Sequence, residues 1–186
     1  MNEGSPSVEA ETISPGQGSL RLFVAVELPE DVKQALREAI ATLKRAGIDD
    51  GLRWARLEGI HLTLKFLGAT PPAKVPAIAT ALRDALAGAT PFELRPEGLG
   101  TFHGGRNPHF TRKFPREAYP STLRVLWVGV SGDTDRLADL AARIETALEP
   151  HGVEREKRPF SAHLTLARVR DEADRATRER LSHALA

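Results

Sequence analysis

Residues 61–68 read H-L-T-L-K-F-L-G, and residues 163–169 read H-L-T-L-A-R-V. Alternation along an extended chain puts His61 and Thr63 on one face of the first segment and Leu62 and Leu64 on the other. His163 and Thr165 oppose Leu164 and Leu166 in the same way. Each segment therefore reads as a strand that offers an imidazole beside a hydroxyl, with leucines anchoring its back in a core. A single H-x-T is more often a buried polar pair that satisfies itself. Two copies in matching apolar strands point to one polar function that needs both.

The surroundings of the two segments repeat as well. Residues 20–28, L-R-L-F-V-A-V-E-L, are apolar and β-branched enough for a buried strand. Pro29 opens a helix over 30–46, where Val32, Leu36, Ala39, Ile40 and Leu43 form one stripe and Gly47 supplies a stop. A short strand at 52–56, a stronger one at 60–67 and a helix at 72–87 follow, then a strand at 92–99 bent at Pro96. Past residue 121 the order restarts: strand 122–130, helix 133–149 capped by Asp133, a short polar strand at 153–157, strand 160–169 and a helix from Asp171. The histidines lie 102 residues apart, and an offset near that value lays Leu20–Leu28 over Leu123–Val130. Internal duplication is the economical explanation. It predicts two pseudo-symmetric lobes, residues 20–100 and 121–186, whose equivalent strands meet at a central cleft.

At 186 residues the chain suits a single such domain, 20–186, with its own core. A net charge of +1 gives no global field for nucleic acid, so attraction for phosphate has to come from local clustering. The absence of cysteine removes disulfides, thiolate metal sites and a cysteine nucleophile. Residues 1–19 are polar and rich in Gly, Ser and Pro, without the apolar run of a signal peptide. They are expected to be a disordered arm on a cytoplasmic protein with no membrane span. Residues 103–120 break the rhythm and predict a long loop. It carries Arg106, Arg112, Lys113 and Arg116 among Phe110, Phe114 and Tyr119, which suits single-stranded RNA, although a solvated loop is the commoner case.

Two imidazoles facing one phosphorus can divide the work of an in-line displacement: a base on the attacking water and an acid on the departing oxygen. The threonine hydroxyls can donate to the non-bridging oxygens, where charge is held in the transition state. A 2′,3′-cyclic phosphate suits this apparatus, because its ring is strained and its alkoxide leaving group needs a proton.

These segments, H-L-T-L-K-F-L-G and P-F-S-A-H-L-T-L-A-R-V with R-L-F-V-A-V-E-L-P before them, resemble the 2H phosphoesterases with their H-x-T-x motif. The group they are most similar to is the RNA 2′,3′-cyclic phosphodiesterases, also called 2′-5′ RNA ligases. The resemblance spans residues 20–170. It implies a bilobal α+β fold, each lobe an antiparallel sheet with helices outside, and no metal or other cofactor. It implies hydrolysis of a cyclic RNA end to a 2′-phosphate, with His61 as proton donor and His163 as proton acceptor. Thr63 and Thr165 then hold the phosphate. Phe66 and Arg168, five residues after each histidine, resemble the family's clamp on the nucleobase. Strict alternation puts both off the histidine face, so the strands have to bend there; core packing of Phe66 and an ion pair of Arg168 are the alternatives. Lys65 shares the histidine face by parity, where a solvated lysine is expected. Ser161-Ala162 replace the Arg-Pro usual before the second histidine, and Arg158-Pro159 stand three residues earlier.

Three rivals are weaker. A single-stranded RNA-binding module without catalysis explains the basic loop but not the paired motifs. A metal hydrolase has six candidates in His61, His103, His109, His151, His163 and His183, but no compact ligand spacing. A nucleotide-driven ligase lacks a phosphate-binding loop and a K-x-D-G motif, so any ligation should be reversed cleavage without ATP. A monomer acting on RNA is expected.

Overall fold

The computed structural model describes residues 10–11, 18–103 and 123–184. Seven strands and four helices alternate along them: β1 (Ala10–Glu11), β2 (Leu20–Glu27), α1 (Glu30–Arg45), β3 (Leu52–Trp54), β4 (His61–Thr70), α2 (Val75–Leu86), β5 (Leu94–His103), β6 (Leu123–Gly132), α3 (Thr134–Leu148), β7 (His163–Val169) and α4 (Arg175–Ala184). The fold is α+β. One sheet has the order β1-β2-β4 and the other β3-β7-β6-β5, and the ladders β1–β2, β2–β4, β3–β7 and β6–β7 are antiparallel. Pro96 is tolerated because β5 is an edge strand, with one side of its backbone outside the ladder.

The chain divides into two compact units that are interleaved in sequence, not the two halves expected. Unit 1 comprises Met1–Glu27, His61–Arg95 and Val130–Ala162; unit 2 comprises Leu28–Ile60, Pro96–Gly129 and His163–Ala186. The first helix of each half, α1 and α3, therefore serves the other half's sheet, while α2 and α4 stay with their own. In unit 1, α3 lies against α2 and β4, and Leu22, Val24, Leu62, Leu64, Ile78, Leu137, Ile144 and Leu148 form the core. In unit 2 the core holds Leu36, Leu43, Leu52, Leu123, Leu126, Leu164, Leu166 and Leu181. Each such side chain contributes about 1.5–3 kcal/mol when fully buried. Apolar stripes alone do not say which sheet a helix will cover, so the exchange was invisible in the sequence.

Four local expectations change. Ala10–Glu11, in the arm expected to be disordered, pairs with Leu22 and Arg21, since the free edge of β2 accepts any extended backbone. Residues 153–157 form no strand. Their polar groups go to side chains instead: the Glu154 carbonyl accepts from Lys65 at 2.6 Å, and the Glu156 N–H donates to Glu145 at 3.0 Å. Asp133 does not cap α3 through its side chain, which accepts from the Glu93 N–H at 3.0 Å. The last helix starts at Arg175, after Asp174 accepts from the Thr177 N–H at 2.7 Å. Arg178 then ties α4 down: its buried guanidinium donates to the Leu123 carbonyl at 2.7 Å and the Arg170 carbonyl at 2.8 Å. Residues 104–120 of the expected basic loop lie outside the described residues. Among the described residues no helix is long and apolar enough to cross a membrane.

Candidate active site

The two H-x-T strands share one register. In unit 1, His61 pairs with Glu27, Thr63 with Ala25, Lys65 with Val24 and Phe66 with Phe23. In unit 2, His163 pairs with Gly129, Thr165 with Trp127, Ala167 with Leu126 and Arg168 with Val125. Every partner in the second set lies 102 residues after its counterpart in the first. In both, the register skips the residue after the threonine, so Leu64 and Leu166 are the extra residues of matching β-bulges. This is the duplication written in hydrogen bonds.

The bulge resolves the parity conflict. Leu64 and Lys65 are buried in succession, as are Leu166 and Ala167. Alternation therefore flips, and Phe66 returns to the face of His61 and Thr63, where it is 65% exposed. Arg168 likewise becomes exposed beyond Thr165, and among the described residues it makes no ion pair. Neither the core role for Phe66 nor the ion pair for Arg168 is found. Thr63 and Thr165 are half-buried, and among the described residues neither hydroxyl has a hydrogen-bond partner.

The flip also corrects Lys65. It is buried on the back of β4, not solvated on the histidine face, and it pairs with Glu145 of α3 while donating to the Glu154 carbonyl. Burial raises the Glu145 carboxyl, but Lys65, the Glu156 N–H and Arg155 outweigh it and hold the group below its ordinary value. Arg158 is committed to Glu156 at 3.1 Å, a bond that lowers the Glu156 carboxyl and raises the guanidinium.

Sequence reasoning missed the aromatic neighbours of the histidines. Phe23 stacks on His61 with ring centroids 4.5 Å apart and planes 12° apart, and its ring lies 6.4 Å from that of Phe66. Phe102 meets His163 at 4.7 Å and 88°, and Trp127 lies 6.3 Å from the same imidazole. The Trp127 indole occupies space that only Gly100 leaves open, since a Cβ there would stand 2.2 Å from the ring. The period-2 pattern places Phe23 and Trp127 in strands but gives no register, and register is what brings them to the imidazoles.

The profile of the LigT like Phosphoesterase family matches residues 26–110 and 128–186. An RNA 2′,3′-cyclic phosphodiesterase of Thermotoga maritima is 32% identical over 151 residues, covering 81% of this chain and 71% of its own length. One from Methanothermobacter thermautotrophicus is 31% identical over 156 residues, 84% of this chain and 74% of its own. A crystal structure of a Thermus thermophilus protein superposes with a TM-score of 0.63 at 26% identity, covering 83% of this chain and 76% of that one. With the family profile matching most of its length and the paired strands in place, the chain belongs to the LigT-like phosphoesterases of the 2H group.

Proposed function

We propose that the chain hydrolyses RNA 2′,3′-cyclic phosphodiester ends to 2′-phosphomonoesters, without a metal, with His61 as proton donor and His163 as proton acceptor. The observation that carries this reading is the matched presentation of His61, Thr63 and Phe66 and of His163, Thr165 and Arg168. The relatives' activity on cyclic RNA ends supports the substrate class.

In this reaction both histidines serve one phosphate. His163 takes a proton from water as its oxygen attacks phosphorus, the bond from phosphorus to O3′ breaks, and His61 delivers a proton to the departing O3′. The phosphate remains on O2′. Exchange with solvent then recharges His61 and discharges His163. Thr63 and Thr165 donate to the non-bridging oxygens. Phe66 offers an aromatic face and Arg168 a guanidinium plane to the nucleobase. Run in the same direction with a 5′ hydroxyl in place of water, the same chemistry gives 2′-5′ ligation without ATP. The protein acts as a cytoplasmic monomer.

Incubation with a 2′,3′-cyclic oligonucleotide and identification of the product isomer tests the scheme. A 2′-phosphate is expected. A 3′-phosphate would overturn the assigned geometry, and binding without turnover would favour a non-catalytic RNA-binding module. Loss of turnover in excess chelator, restored by zinc, would overturn the metal-free step.

A further inference from the structure

Arg53 and Arg168 stand directly opposite each other in the β3–β7 ladder, and both are exposed. The neighbouring pair Leu52–Val169 is buried on the back, so the two arginines share the face of Thr165 and His163. Like charges in direct register cost stability. Among the described residues neither guanidinium makes an ion pair. The acids nearby in sequence are committed elsewhere: Asp49 accepts from the Trp54 indole at 2.6 Å, and Asp50 pairs with Arg180 at 2.9 Å.

The duplication supplies a control within the same chain. At the 102-residue offset, Arg53 corresponds to Arg155 and Arg56 to Arg158. Arg155 pairs with Glu149 at 3.1 Å, and Arg158 with Glu156 at 3.1 Å. Unit 1 thus neutralises both positions, whereas among the described residues unit 2 leaves both without an ion pair. A cationic pair kept at a cost, beside the phosphate-holding threonine, calls for an anion.

We infer that Arg53, beside the base-contacting Arg168, is the ligand of a second phosphate of the RNA substrate: the phosphodiester on the 5′ side of the terminal cyclic nucleotide. This rests on the reading that His163 and Thr165 hold the cyclic phosphate. Thr165 and Arg168 are three residues apart, at about 3.3 Å per residue less the bulge, a distance of the order of one nucleotide step. The planar guanidinium fork suits bidentate contact with phosphate oxygens, and an anion between the two arginines relieves their repulsion.

The test compares the full chain and Arg53→Gln on a 2′,3′-cyclic mononucleotide and on a 2′,3′-cyclic trinucleotide with the same terminal base, across salt concentrations. The wild type is expected to prefer the trinucleotide. That preference should fall about tenfold in Arg53→Gln, mainly through KM, with a shallower salt dependence. Arg53→Lys, which keeps the charge, should recover part of it. The melting temperature of Arg53→Gln should hold or rise, because a repulsion is removed. A preference unchanged in Arg53→Gln, or an equal loss on both substrates, overturns the subsite. A wild-type protein that turns over neither substrate overturns instead the reading beneath it.

Discussion

Replacing Lys65 by Met tests whether the buried pair behind β4 holds unit 1 together. The Lys65 side chain is 5% exposed and that of Glu145 20%. Removing one partner of a buried pair costs about 3–5 kcal/mol, because the other charge is left without compensation. Here the group left behind is Glu145, which is partly exposed and keeps the Glu156 N–H. The expected loss is therefore at the low end, about 3 kcal/mol. Met fills most of the volume of the lysine stem, so little of this comes from a cavity. For a chain of this size the loss lowers Tm by about 6–12 °C. Thermal and urea unfolding read it out, with an unchanged m-value showing that the denatured state is not the cause. Adding Glu145→Leu should recover most of the stability, since an apolar pair replaces a buried ionic one without penalty. A single variant within about 0.5 kcal/mol of wild type, or a double variant no better than the single, would refute this reasoning.

Acid should weaken unit 1 through the same carboxylate. Glu145 is held below its ordinary value of 4.5 in the fold. A carboxyl with a lowered folded pKa stabilises above its ordinary value and loses that contribution as pH falls through the lowered one. The acid limb of a stability–pH curve should therefore flatten in Glu145→Gln, and a curve of wild-type slope would remove this carboxylate from the account. At the proposed catalytic pair, His61→Ala and His163→Ala should each remove most turnover of a cyclic-phosphate oligonucleotide without unfolding the chain. The double variant should be hardly worse than either single, because the two act as a unit. The wild-type rate should follow a bell-shaped pH profile, and a wild-type rate from His163→Ala would end the assignment.

The strands and helices were legible because their signals are local. Leu36 and Leu43 of α1, and Leu137, Ile144 and Leu148 of α3, fall at helical spacing and are buried. The doubled H-L-T-L strands announced the duplication, and the register confirms it residue by residue. What failed was non-local. Nothing in α1 says that it joins β3 and β7 in unit 2, because a leucine stripe fits either sheet. Strict alternation misplaced Lys65, since a bulge is one extra residue and leaves no mark in a period-2 pattern. The segment 153–157 was misread because its backbone partners are side chains, Lys65 and Glu145, that lie far away in sequence.

The duplication also bears on how two equivalent histidines come to differ. Backbone register, bulge position and the neighbouring threonine are the same around His61 and His163, so none of these can make one a donor and the other an acceptor. The proposed difference in role therefore has to come from positions that diverged. Phe23, which stacks on His61, corresponds at the same offset to Val125; Trp127, which lies beside His163, corresponds to Ala25. His61 therefore lies flat against one aromatic face, while His163 meets Phe102 at a right angle and has the tilted Trp127 ring 6.3 Å away. The two imidazoles thus sit in matching backbone but in different aromatic surroundings, and these surroundings are where a proposed division into donor and acceptor has to originate.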